Sequence, residues 1–156
     1  MNCPCNALMN RIPPCVSGQN GLNGLTLVIY KILLNACGNQ QCSRRTFTLR
    51  ITGPSFPTGE TFQIIAGSCT TLDEPLIITG LMPGDYCIEE IQSEPYRYIS
   101  TFTGPTVCRN IVRVSPGCPP AVVTIVNRER LCRLCHGHGC GCSFCSACGH
   151  SCGCSF

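Results

Sequence analysis

Leu25-Thr26-Leu27-Val28-Ile29-Tyr30-Lys31-Ile32-Leu33 is the stretch on which the fold turns. Side chains alternate between the two faces of a strand. Leu25, Leu27, Ile29, Lys31 and Leu33 therefore share one face, apolar throughout except for the lysine. Short β-rich runs follow at 46–51 (TFTLRI), 62–66 (FQIIA), 76–79 (LIIT), 86–92 (YCIEEIQ), 97–102 (RYISTF), 107–114 (VCRNIVRV) and 121–126 (AVVTIV). Gly53-Pro54, Pro57-Thr58-Gly59, Pro83-Gly84-Asp85, Gly104-Pro105 and Pro116-Gly117 read as the turns between them. Short strands punctuated in this way predict an all-β sandwich of seven to eight strands. No segment holds a 3.6-residue apolar period long enough for a major helix.

Cysteine divides the chain. It supplies 17 of the 156 residues, three of them in the first 15 and eight in the last 25. That usage exceeds what ordinary globular domains carry. The reading is an extended N-terminal arm at 1–22, one sandwich domain at 23–130, and a Cys/Gly/His-rich C-terminal tail at 131–156. The tail repeats itself: Gly137-His138-Gly139-Cys140-Gly141-Cys142-Ser143-Phe144 recurs as Gly149-His150-Ser151-Cys152-Gly153-Cys154-Ser155-Phe156. With so few apolar side chains the tail cannot fold by burial, and it needs disulfides, a metal or a partner.

Charge excludes some classes. The net charge is +3, with 12% charged residues, and no basic cluster exceeds Arg44-Arg45, which gives nucleic-acid binding no footing. No stretch reaches the ~18 apolar residues of a membrane span. The N-terminus, MNCPCNALMNRIPPCV, has neither the basic start nor the apolar run of a secretory signal. The cysteine load nevertheless fits an oxidising environment. The expectation is an extracellular or spore-surface location reached without a signal peptide, by lysis of the producing cell. Catalytic turnover finds no triad, phosphate loop or paired-acid motif, so an enzyme is not expected.

The segment Gly84-Asp85-Tyr86-Cys87-Ile88-Glu89-Glu90-Ile91-Gln92-Ser93-Glu94-Pro95-Tyr96 resembles the G-x-Y-x-ϕ-x-E…P…Y signature of CnaB-type (SpaA-type, prealbumin-like) domains. A lysine in the first strand, Lys31, and an asparagine closing the last, Asn127, agree with it. The resemblance covers roughly residues 23–130 and implies a prealbumin-like sandwich. The spacing from Glu90 to Tyr96 is shorter than the family's, the usual Gly before that Tyr is missing, and the core cysteines are foreign to the typical member. Many such domains form an autocatalytic isopeptide bond, and the resemblance implies Lys31 and Asn127 as its partners with Glu90 as acid/base.

The residues support that trio on their own terms. Lys31, Glu90 (with Tyr86 and Ile88) and Asn127 (with Ala121, Val123 and Ile125) all fall on apolar, core-facing rows. An unpaired charge there is costly. Burial lowers a lysine pKa and frees the amine as a nucleophile, while a protonated Glu can polarise the Asn carbonyl and shuttle protons. Lys31 is the only lysine in the chain. The alternative is a solvated strand-end lysine paired with Glu89 or Glu90.

Three chemistries compete for the tail. Cys132-Arg133-Leu134-Cys135-His136 matches the c-type haem attachment pattern. Cys132, Cys135, Cys145 and Cys148 could hold a tetrahedral Zn²⁺. The favoured reading is a disulfide-stapled knob or cross-linker, in which Cys140, Cys142, Cys152 and Cys154 reach different partners because neighbours in Cys-Gly-Cys bond each other poorly. In the arm, Cys3, Cys5 and Cys15 are candidates for intermolecular disulfides, since an odd cysteine total leaves at least one thiol for another chain. Together these features predict a structural subunit that forms a head-to-tail homo-oligomeric filament, without cofactor. A Zn- or Cu-binding protein and a monohaem electron carrier are the alternatives.

Overall fold

The computed structural model describes residues 25–68, 73–91, 97–105 and 107–130. Among them are nine strands and no α-helix: β1 (Leu27–Leu34), β2 (Arg45–Gly53), β3 (Phe56–Ala66), β4 (Leu76–Ile78), β5 (Gly84–Ile91), β6 (Tyr98–Thr103), β7 (Val107–Cys108), β8 (Ile111–Val114) and β9 (Ala121–Glu129). They form two sheets, ordered β4-β1-β9-β6 and β3-β2-β5-β8-β7. The all-β sandwich expected from the alternation is the observed architecture. The arm at 1–22 and the tail at 131–156 lie outside the described residues.

The first and last strands lie side by side. β1 pairs with β9 in parallel, Leu27 opposite Ala121 through Leu34 opposite Arg128, while every other pairing between strands is antiparallel. Their inward rows, Leu27, Ile29 and Leu33 with Ala121, Val123 and Ile125, meet Leu49, Ile51, Tyr86, Ile88, Val112 and Val114 of the other sheet in one core. Burial of such side chains contributes about 1.5–3 kcal/mol each and dominates the stability of the sandwich.

Two expectations about strand limits change. The run 107–114 is not one strand but a hairpin, β7 and β8, turning at Arg109-Asn110. Arg109 takes a left-handed backbone with φ 55°. Asn110 fastens the turn to β5, its Nδ2 donating to the Ile88 carbonyl at 3.2 Å and its carbonyl accepting from Ile88 N at 2.8 Å. Pro57-Thr58-Gly59 does not end a strand; it lies inside β3. β3 is an edge strand, where a proline's missing N–H removes no ladder bond, and Gly59 supplies φ 84°. Among the described residues the strand total is therefore nine rather than seven or eight.

The G-x-Y signature has a packing reason here. Tyr86 is fully buried, and its hydroxyl donates to the Met82 carbonyl at 2.7 Å and meets Ser55 Oγ at 2.8 Å. Ser55 Oγ in turn accepts from Met82 N at 2.8 Å. The phenol thus ties the β2–β3 turn to the chain entering β5. Gly84 has φ 145°, and a Cβ there would sit 2.6 Å from Pro54 Cγ. A Cβ on Gly53 would sit 2.4 Å from the Tyr86 ring.

Candidate functional site

Lys31, Glu90 and Asn127 come together in the core. Lys31 is on β1 and Asn127 on β9, and both point inward because they occupy the same two-residue phase as Leu33, which stands opposite Asn127. Glu90 arrives from β5 in the opposite sheet, aligned with Leu49. The side chains of Lys31 and Glu90 are 0% and 3% exposed, and Asn127 is 0% exposed. The solvated-lysine alternative therefore does not describe this protein. Glu89, the other acid considered for Lys31, is exposed on the outside of β5.

Glu90 bridges the other two. Lys31 Nζ donates to Glu90 Oε2. Asn127 Nδ2 donates to Glu90 Oε1 at 2.6 Å. Asn127 Oδ1 is buried without a hydrogen-bond partner. The ring centroid of Phe47, on β2, lies 4.6 Å from Lys31 Nζ, and the ring meets Tyr98 edge-on at 6.1 Å between centroids. Desolvation by this burial lowers the Lys31 pKa from 10.5 to about 8, against the opposing pull of the Glu90 charge and hydrogen bond. The sequence reading did not single out Phe47. Its signal was the inward row Phe47, Leu49 and Ile51 of β2, which names core residues but not which of them meets the lysine.

A carboxylate with one oxygen on an amine and the other on an amide nitrogen can move a proton between the two. An ionised carboxylate only accepts hydrogen bonds, which is why the amide presents its NH₂ to Glu90 and turns Oδ1 away. Such a buried pair is held by geometry and not by net gain. Removing one partner typically costs about 3–5 kcal/mol, because the other is left charged and dry.

The other sites expected from sequence divide between the arms and the domain. Cys3, Cys5 and Cys15, the tail cross-link candidates Cys140, Cys142, Cys152 and Cys154, the zinc quartet Cys132, Cys135, Cys145 and Cys148, and the haem candidate His136 all lie outside the described residues. Within the domain, Cys37, Cys42, Cys108 and Cys118 are disulfide-bonded. Cys87, on β5, is half-buried and accepts from Asn110 Nδ2 at 3.3 Å. Among the described residues no group of three or more His, Cys, Asp and Glu is placed to hold a metal, and no helix is long and apolar enough to cross a membrane.

No family model and no curated protein matches this chain. Among solved structures, a pilus-presented adhesin, Spy0125 (Cpa), is similar over 68% of this chain and 27% of its own, with 14% identity and a TM-score of 0.40. The major pilin T3.2 of Streptococcus pyogenes is similar over 67% of this chain and 44% of its own, with 14% identity and a TM-score of 0.36. The major pilin T-13 of the same species covers the same shares, with 17% identity and a TM-score of 0.33. The matched region spans less than half the length of each of these pilus proteins.

Proposed function

We propose that the chain is a structural subunit of an extracellular, disulfide-cross-linked fibre or surface layer such as a spore appendage, joined head-to-tail through its N-terminal arm and hardened by a Lys31–Asn127 isopeptide bond. The observation that carries the reading is the dry Lys31–Glu90–Asn127 cluster. A lone lysine, an acid and an amide at the centre of an apolar core are costly to keep for packing alone.

The bond forms in one turnover. Lys31 passes a proton to Glu90, and its neutral Nζ attacks Asn127 Cγ. A half-turn of the amide lets the protonated Glu90 donate to Oδ1 and polarise the carbonyl. The new Nζ–Cγ bond is completed as the Cγ–Nδ2 bond breaks. Glu90 takes the second proton from Nζ and delivers one to Nδ2, which leaves as ammonia. One amine and one amide thus become one secondary amide and one NH₃, with no oxidant or cofactor.

Topology supports the mechanical role. The chain enters the sandwich by β1 and leaves by β9, and these strands are parallel neighbours in one sheet. Entry and exit therefore lie at opposite ends of that sheet, as a head-to-tail connection requires. A Lys31–Asn127 bond would carry tension from one arm to the other without loading the strands between. Electron microscopy of the protein purified without reductant, paired with intact mass after reduction, tests the reading. Filaments and a mass short by one ammonia support it; dispersed monomers of full sequence mass overturn it.

A further inference from the structure

The two sheets differ in what they turn to solvent. The five-stranded sheet carries Arg50 and Glu89 exposed on its outside, and Asp85 paired there with Arg113 through bonds of 2.7 and 2.9 Å. The outward positions of the four-stranded sheet are nearly without charge. Its register aligns Ile77, Val28 and Val122 in one row across β4, β1 and β9, and Ile32, Val126 and Thr101 in another across β1, β9 and β6. Tyr30, Ile77 and Ile99 on this side are 38%, 58% and 50% exposed. Arg128, the one charged residue among these outward positions, folds onto the Ala36 carbonyl, donating from Nε at 3.2 Å and Nη2 at 2.9 Å. An antiparallel sheet with one wet face alternates apolar inside and polar outside. Apart from the inward Lys31 and Asn127 and the end residues Arg128 and Glu129, β1 and β9 are instead apolar or β-branched on both sides, as strands covered on both faces are.

We propose that this outer face packs against the same face of a second copy of the chain. Its width argues for a sheet as the occupant. A single extended arm covers one strand spacing, ~4.8 Å, whereas the uncharged surface crosses four strands. A sheet of equal width covers it in the aligned packing of sandwiches, with the two layers ~10 Å apart. The four strands present on the order of 400 Å² in projection. Two such surfaces in contact remove about 1,000 Å² of accessible surface, the lower bound for a specific interface. The face meets itself without electrostatic penalty. With the strands of the two copies antiparallel, the Arg128 side chains lie at opposite ends. The contact is non-covalent and needs neither the arm cysteines nor the isopeptide, so it stands or falls apart from the fibre reading.

Photo-cross-linking tests it on the full chain. The protein carrying p-benzoylphenylalanine in place of Tyr30 is irradiated, reduced and digested. A covalent dimer that persists in reductant, with Tyr30 joined to peptides of β1 or β9 from the second copy, supports the proposal. The absence of a dimer, or cross-links only to residues 1–24 or 131–156, overturns it. Sedimentation in a Cys3→Ser, Cys5→Ser background supplies an independent reading. Tyr30→Glu with Val126→Glu weakens self-association at least tenfold, and Thr48→Glu on the other sheet leaves it unchanged; equal association of the two variants overturns the proposal. Far-UV circular dichroism checks that the variants fold, and if the double variant does not, the cross-linking result decides alone.

Discussion

Asn127 Nδ2 donates to Glu90 Oε1 at 2.6 Å across the interior between the two sheets, while the second carboxylate oxygen of Glu90 accepts from Lys31. The amide is thus held by the group that also holds the amine. Carboxylate, amine and amide come from β5, β1 and β9, and none is a near neighbour of another in sequence.

The mass of the reduced, full-length protein should fall short of the sequence mass by one ammonia. Glu90→Ala and Asn127→Ala should each restore the expected value for their own sequences. Wild-type protein of unmodified mass would leave Lys31 and Asn127 as a buried hydrogen-bonded cluster without bond formation.

Loss of the proposed bond should lower stability. A link between positions 31 and 127 closes a loop of about 100 residues, worth up to about 5 kcal/mol in the chain-entropy account. Asn127→Ala should therefore melt well below the parent in calorimetry. Equal melting temperatures would mean that no such link constrains the unfolded chain.

The same variant should show a pH signature. In Asn127→Ala the amine keeps titrating, with a folded pKa of about 8 against an ordinary 10.5. Between those values the unfolded chain binds more protons than the folded one, so stability rises with pH through this window. Below about pH 8 the amine is charged in both states and adds no slope. Denaturant midpoints measured from pH 7 to 10 should rise for Asn127→Ala relative to the parent, in which the proposed isopeptide bond would make Lys31 a non-titrating amide nitrogen. A constant difference between the two proteins across that range would contradict it.

Phe47 should matter twice. Its ring covers Lys31 Nζ and packs against Tyr98. Phe47→Ala should cost about 3–5 kcal/mol from the cavity, and admit water that weakens the desolvation holding the lysine pKa down, leaving less neutral amine. Time-resolved mass spectrometry after refolding should show slower ammonia loss than in Phe47→Tyr, which keeps the ring. Equal rates in the two would confine Phe47 to packing.

Tyr86→Phe should cost about 1–3 kcal/mol, because Ser55 Oγ and the Met82 carbonyl lose their shared partner. Gly53→Ala should destabilise by about 1–3 kcal/mol through collision with the Tyr86 ring. Urea midpoints measure both, and a neutral Gly53→Ala would mean that the turn can move aside.

Denaturing gels run without reductant should show a ladder, or material too large to enter, which reductant collapses to one band. Cys3→Ser with Cys5→Ser should leave assembly intact in native buffer but soluble in denaturant. Deletion of residues 1–15 should abolish fibres; fibres of the truncated protein equal to those of the full chain would move the connection to the tail.

Alternation alone placed Lys31, Glu90 and Asn127 on inward rows, because a strand has a period of two and any long enough run of it shows which side chains face the core. Gly and Pro marked most turns. None of this says which strands are neighbours. Period and turns are local, whereas the parallel contact of β1 with β9 and the reach of Glu90 across the sandwich depend on pairings between segments far apart in the chain. Phe47 over the lysine and the hairpin at Arg109-Asn110 escaped for the same reason, since one needs a neighbour from another sheet and the other needs β5 to anchor the turn. The uncharged outer face was written in Val28, Tyr30, Ile32, Val122 and Val126 all along. It became a surface only when the register brought two separate strands edge to edge.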